Sequence, residues 1–225
     1  IQARKAVVLA AGGFEHNQEM REKYLPQPTD HRWSAGTRDN TGDAIREGIR
    51  LGARMHRLNE AWWCNTISVP GEEIPRLSIM EKSYPGSIMV NPAGKRFSNE
   101  SQNYMAFQQD TFRAHSAENP CNPSWQIFDA DFRARYFVGP LYNSKFRPDW
   151  LLPGRYEEQG FFAWADTIAG LAEKSNVDPA GLADTVARMN EYARSGVDPD
   201  FHRGESAYDR YYGDPRVSPN PCLGS

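Results

Sequence analysis

The stretch Asn91-Pro-Ala-Gly-Lys-Arg-Phe-Ser-Asn-Glu-Ser-Gln-Asn-Tyr104 constrains this chain most. It predicts a strand over Ser87–Asn91, a turn at Pro92-Ala93-Gly94, a second strand at Lys95–Phe97 and then a helix start. Pro fixes one backbone dihedral of such a turn and Gly supplies the permissive one. Asn99-Glu100-Ser101 puts polar groups where the helix begins, and Tyr104 projects from its first turn. A helix over 102–115 follows.

The bulk numbers bound the rest. The 225 residues are enough for a core and for two lobes. Lys and Arg total 26 against 29 Asp and Glu, a net charge of −3, with no long single-sign run, which argues against a nucleic-acid partner. At 12% aromatic residues the chain is too rich in rings for a disordered one, so a folded, loop-rich body is expected. No apolar run approaches the roughly 18 residues of a membrane span, and no segment has the pattern of a secretory signal. Cys64, Cys121 and Cys222 are too few and too widely spaced for a disulfide framework or a zinc site. Reduced thiols and a cytoplasmic location are the expectation. The five histidines, His16, His31, His56, His115 and His202, show no ligand spacing, so no metal is assigned. The chain opens without Met on a strand-like run and stops inside a loop at Asn220-Pro-Cys-Leu-Gly-Ser225, which predicts an excised middle of a longer protein. A processed mature protein is the alternative.

Along the chain, Ala6–Ala10 suits a buried strand entering the tight turn Ala11-Gly12-Gly13. Residues 17–24 predict a short helix that Pro26 and Pro28 terminate. Asn40 or Thr41 can cap a helix through about Leu51, with Asp43 in its first turn, an apolar stripe of Ile45, Ile49 and Leu51, and Gly52 as its stop. Residues 53–58 predict a short strand. Farther on come a strand at 125–128, a helix capped by Asp129, and a helix pair over 166–174 and 179–194. Asp178-Pro179 is a strong start signal for the second of these, and Leu182, Val186, Met189, Tyr192 and Ala193 form its core stripe. From Val197 onward extended loops are expected.

Three segments carry the chemistry. A small-residue turn such as Ala11-Gly12-Gly13-Phe14 lets backbone N–H groups approach a bulky anion or ring, although by itself it is more often purely structural. The dinucleotide fingerprint G-x-G-x-x-G is absent, so this turn is not a first Rossmann turn. Thr41-Gly42-Asp43 is a helix start next to Gly, a place for polar ligand atoms or a plain cap. Tyr104 on the first turn of a helix is, on local evidence, a core or rim aromatic.

These segments in this order, with Arg203-Gly-Glu-Ser-Ala-Tyr-Asp-Arg-Tyr-Tyr-Gly-Asp-Pro215 near the end, resemble the flavoprotein family that contains fumarate reductases and 3-oxosteroid dehydrogenases. The resemblance runs from about Ala6 to Leu223. It implies an α+β fold: part of an FAD-binding α/β domain over residues 1–68 and a substrate-binding, or cap, domain over 69–225. It implies FAD as cofactor, held in part by Ala11, Gly12, Gly13, Thr41, Gly42 and Asp43. The family usually has Gly where this chain has Ala44. Fumarate reductases carry their proton-donating Arg five residues after the Asn of the hairpin motif; here that place is Tyr104, and the steroid enzymes have a catalytic Tyr there. A tyrosinate, whose ordinary pKa is about 10, is a plausible base for a proton alpha to a carbonyl once its pKa is lowered. An Arg suits a dicarboxylate instead. The resemblance therefore implies dehydrogenation of a 3-oxosteroid or similar apolar ketone, with Tyr104 taking the proton and hydride passing to the flavin. The electron acceptor is not implied. Tyr84-Pro85-Gly86-Ser87 lacks the second Gly of the steroid enzymes' Tyr-Pro-Gly-x-Gly and predicts a loop entering the hairpin. Trp62, Trp63, Phe97, Phe107, Tyr142 and Phe146 are candidates to line an apolar site, most of them more naturally core. Two alternatives stand: a related flavin-dependent reductase of an enone or carboxylic acid, and a non-catalytic cap-lobe binding module. The isolated chain is expected to be inactive.

Overall fold

The computed structural model describes residues 3–224. Among them the chain divides into two compact units: one up to Trp62 together with Glu73–Pro75, the other Trp63–Glu72 and Arg76 onward.

In the first unit, helix α1 (Gln18–Tyr24) is capped by Asn17, whose side chain accepts the Met20 N–H at 3.0 Å. Helix α2 spans Asp43–Arg50, and its cap is neither Asn40 nor Thr41 but Gly42, at φ +81° with no side-chain cap bond. Both predicted caps are engaged elsewhere. The Asn40 amide donates to Glu15 at 2.5 Å, and the Thr41 hydroxyl donates to Asp43 at 3.1 Å. The apolar stripe of α2 is only partly covered, with Ile49 42% and Leu51 69% exposed.

Two predicted strands are absent from this unit. Residues 6–10 are neither strand nor buried, and Val8 is 86% exposed. No strand lies among the unit's described residues, so this apolar run has no ladder to join. At residues 53–58 the Ala53 N–H donates to the Gly48 carbonyl at 2.9 Å and closes the end of α2, and Arg57 takes φ +56°. Both features turn the chain out of an extended path.

The second unit is α+β. It holds strands β1 (Thr66–Ile67) and β2 (Arg76–Leu77), paired antiparallel, then β3 (Ser87–Val90), helix α3 (Tyr104–Ala114), β4 (Trp125–Phe128) and the helices α4 (Ala130–Arg135), α5 (Arg155–Glu158), α6 (Ile168–Ser175), α7 (Pro179–Ser195) and α8 (Ala207–Tyr211). The partner of β3 is β4, antiparallel, with Ser87 opposite Phe128 and Val90 opposite Trp125. The predicted second hairpin strand at 95–97 does not form. The turn itself closes, with Asn91 N–H to the Lys95 carbonyl at 3.0 Å and Gly94 N–H to the Asn91 carbonyl at 2.8 Å. Beyond it Arg96 enters a buried ion cluster and Phe97 packs on Phe107, so the backbone leaves the sheet.

The main core joins Ile88 and Val90 of β3 to Ala172 and Val177 at the end of α6, Leu182, Met189 and Ala193 of α7, and Leu223. α7 follows its sequence signals closely. Asp178 accepts the Gly181 N–H, Pro179 opens the helix, and Gly196 at φ +79° closes it. α8 was not expected in the closing segment; Ser206 caps it by accepting the Asp209 N–H at 3.0 Å. No helix among the described residues is long and apolar enough to cross a membrane.

The turn that carries β3 toward α3 rests on the start of α7. Thr185 donates to the Gly94 carbonyl at 2.7 Å, and Asp178 N–H donates to the Pro92 carbonyl at 2.8 Å. Gly94 has φ +69°, and a Cβ there would stand 2.2 Å from the Leu182 nitrogen. Gly94→Ala therefore meets both a left-handed backbone and a backbone collision, and is expected to cost about 3 kcal/mol or more in a denaturant melt. A loss below about 1 kcal/mol would contradict this packing.

Candidate functional site

Tyr104 is the first residue of α3, and the backbone before it is fixed from several sides. Asn103 caps the helix by accepting the Ala106 N–H at 2.9 Å. Ser101 N–H donates to the Asn99 side chain at 2.8 Å, and the Asn99 amide donates to Asp209 of α8 at 3.0 Å. Tyr104 itself is half-buried, and it is a close enough neighbour of Tyr208 on α8 to act on that residue's ionisation.

Beneath this turn lies a buried ion cluster. The Glu100 carboxylate, with no exposed surface, accepts from Arg96 at 2.8 and 2.7 Å, from the Met89 N–H at 3.2 Å and from Arg203 at 3.2 Å. Arg96 also pairs with Asp198 at 2.8 Å. Arg203, 1% exposed, further donates to the Ser101 hydroxyl at 2.9 Å and to the Ser87 and Tyr84 carbonyls at 2.7 and 2.9 Å. Two cations and two anions balance. Burial alone would raise the Glu100 carboxyl pKa, but Arg96 and then Arg203 overcome it and hold the group below its ordinary value. Asp198 is held low in the same way, burial opposing and Arg96 prevailing.

The second set of predicted residues sits in the first unit. Gly42 N–H donates to the Gly13 carbonyl at 2.9 Å and His16 N–H to the Asn40 carbonyl at 3.1 Å, so the Ala11-Gly12-Gly13 turn and the Thr41-Gly42-Asp43 helix start lie side by side. The glycines have internal reasons to be glycine. A Cβ on Gly12 would stand 2.1 Å from the Asn40 side-chain oxygen, and one on Gly42 2.5 Å from the Met20 sulfur. Ala11, Gly12 and Asp43 are exposed, giving an open rim of small side chains beside a helix N-terminus. The Asp43 carboxylate at that rim is paired with Arg46 at 2.5 Å. Exposed small residues beside a helix N-terminus, with the nearby carboxylate already paired, are compatible with the ring and hydroxyl portion of an FAD.

The aromatic candidates separate cleanly. Phe97 and Phe107 are core, Trp63 packs edge-on against Phe112, and Trp62 and Phe146 are 80% and 79% exposed. A cavity of about 450 Å3 lined by Phe132, Tyr136, Arg135, Arg194 and Leu223 does not include Tyr104. Among the described residues no cluster of His, Cys, Asp or Glu could hold a metal ion. The sequence reading of the closing segment as extended loops missed the reach of Arg203 and Asp198 to residues 96–101. It also missed Lys82, which is buried against the same turn.

Glu100→Gln would leave two buried guanidiniums facing one carboxylate, and is expected to lower stability by about 3–5 kcal/mol in chemical denaturation. Because Glu100 and Asp198 titrate lower in the fold than in the unfolded chain, their stabilisation is complete above the ordinary carboxylate range and is lost as pH falls through their folded values. Acid unfolding should therefore be steep below about pH 4 and shallower in Glu100→Gln. Equal acid sensitivity of the two proteins would contradict the cluster's role.

The chain is 43% identical over 228 residues to a 3-oxosteroid 1-dehydrogenase of Mycobacterium tuberculosis, covering 100% of this chain and 39% of that protein. It is 39% identical over 236 residues to a 4-oxocyclohexanecarboxylate 2-dehydrogenase of Sinomonas cyclohexanicum, covering 100% and 38%. Its fold matches the 3-ketosteroid delta1-dehydrogenase of Sterolibacterium denitrificans, solved in complex with 1,4-androstadiene-3,17-dione, with a TM-score of 0.92 at 44% identity over 100% of this chain and 40% of that one. The chain thus spans about 39% of the length of the Mycobacterium relative. The family model described as FAD binding domain matches residues 1–223, and the chain belongs to that family of flavoproteins.

Proposed function

We propose that this chain is the portion of an FAD-dependent dehydrogenase that presents a tyrosine base to a 3-oxosteroid or similar ring ketone. The observation that carries this reading is Tyr104: a half-buried phenol at the start of a helix whose preceding turn is pinned by a buried ion cluster. The two relatives are both named for dehydrogenating a ring that bears an oxo group, and the solved neighbour was crystallised with a steroid dione. Residues 1–68 are read as part of the FAD-binding domain and 69–225 as the substrate-binding domain.

A proton alpha to a ketone is acidified by the carbonyl, and a fixed phenolate oxygen is suited to accept it. FAD, when bound, supplies the acceptor for the hydride from the adjacent carbon. Ala11, Gly12, Gly13, Thr41, Gly42 and Asp43 would hold the uncharged part of that group. In the second unit the residues of this chain hold the base still. The Asn103 cap and the Asn99–Asp209 contact keep the first turn of α3 from fraying, so the phenol need not be ordered at each turnover. A tyrosine here also suits a neutral ketone, since it offers no permanent charge to a dicarboxylate. The three unpaired cysteines support a cytoplasmic setting.

In the full-length protein, Tyr104→Phe is expected to lower kcat for a 3-oxosteroid by about 10²–10⁴ while KM changes little. Retention of full turnover would remove the base assignment. It would favour a reductase of another enone or acid that uses the same scaffold.

A further inference from the structure

Lys82 lies in the 3-10 turn Glu81–Ser83 and is 1% exposed. Its Nζ donates to the Glu100 carbonyl at 2.8 Å, the Gln102 carbonyl at 2.6 Å and the Ser83 hydroxyl at 3.3 Å. The same atom stands 5.1 Å from the centroid of the Phe107 ring. An ammonium has three N–H bonds, and all three are used. Two of them hold the carbonyls on either side of Ser101, immediately before the Asn103 cap. The ring contact falls one turn farther on, inside α3. Tyr104 is between the two points of attachment.

We propose that Lys82 is a positioning residue for Tyr104, its ammonium fixing the Glu100–Gln102 backbone and through it the direction of the first turn of α3. The inference rests on reading Tyr104 as the proton acceptor.

The placement is costly, which is why it calls for a reason. Taking an ammonium out of water is unfavourable, and an apolar side chain of similar length would fill the space without that penalty. The groups facing Lys82 act in both directions. Arg203 opposes its charge, whereas Glu100 and Asp209 favour it; the nearby Cys64 thiol, its pKa pushed up to about 11 by burial, is neutral in this range. Burial first, and Arg203 next, bring its pKa down to about 7. A neutral amine keeps only two N–H donors. One of the three bonds is therefore lost as pH rises through that value, and the grip on the turn weakens while the Arg203 contacts remain.

The test is amide hydrogen exchange on the full-length protein at about pH 6 and about pH 8, corrected for intrinsic exchange. The reporters are the Ala106 and Phe107 amides, which bond to Asn103 at 2.9 Å each. In the wild type their corrected exchange should be about tenfold faster at the higher pH, with α7 unchanged. In Lys82→Met it should be fast at both pH values, and kcat should fall about tenfold or more with KM within about twofold. Equal corrected protection at the two pH values in the wild type overturns the proposal, and so does a Lys82→Met enzyme with wild-type kcat. If Lys82→Met does not fold, the wild-type measurement alone decides. Tyr104→Phe run in parallel separates the two readings: full turnover there removes the base assignment and leaves the exchange result standing.

Discussion

Glu100 between Arg96 and Arg203 is the interaction on which the second unit depends. A carboxylate with no exposed surface is tolerable only when its charge and its lone pairs are met, and here two guanidiniums and a backbone N–H meet them. The cluster ties residues 96–101 to residues 198–209, segments about a hundred positions apart in sequence. It therefore decides where the chain goes after the Pro92–Gly94 turn. The backbone leaves the sheet where the Arg96 side chain enters the cluster with Glu100 and Asp198. The departure delivers Asn103 and Tyr104 to the start of α3.

From there the proposed chemistry rests on rigidity. A base that abstracts a carbon-bound proton must be held at a fixed distance from that carbon, and a helix start with a side-chain cap is a firm platform. Lys82 and Arg203 both hold the same turn, Lys82 through the Glu100 and Gln102 carbonyls and Arg203 through the Ser101 hydroxyl and the Glu100 carboxylate. The first unit is built on a different logic. Gly12 and Gly42 are demanded by close packing against Asn40 and Met20, and the charge on the exposed rim beside them is the Asp43–Arg46 pair.

What could be read in the sequence was what is locally encoded. α7 was legible because Asp178, Pro179 and Gly196 mark its ends and its core stripe has helical spacing. α1, β4 and the Asp129 cap of α4 were legible for the same reason. The failures share another cause. The strand expected at 95–97 loses to the ion cluster, whose other half lies near residue 200. The run at 6–10 has the composition of a buried strand but no neighbouring strand within the described part of its unit. The cap of α2 moved to Gly42 because Asn40 found a better partner in Glu15. The place of Tyr104 at a helix start was legible from the motif preceding it, whereas Lys82 offered no local signal: Met80-Glu-Lys-Ser83 looks like any charged surface turn, and only tertiary burial makes it special.

The central claim is that Tyr104 is the group facing the acidified carbon. The most direct measurement is a crystal structure of the full-length protein with FAD and a 3-oxosteroid bound. The account predicts the Tyr104 Oη at about 3–3.5 Å from the carbon alpha to the ketone, in line with a reacting C–H bond. A steroid bound with Tyr104 out of contact with that carbon, and another side chain in its place, would contradict it.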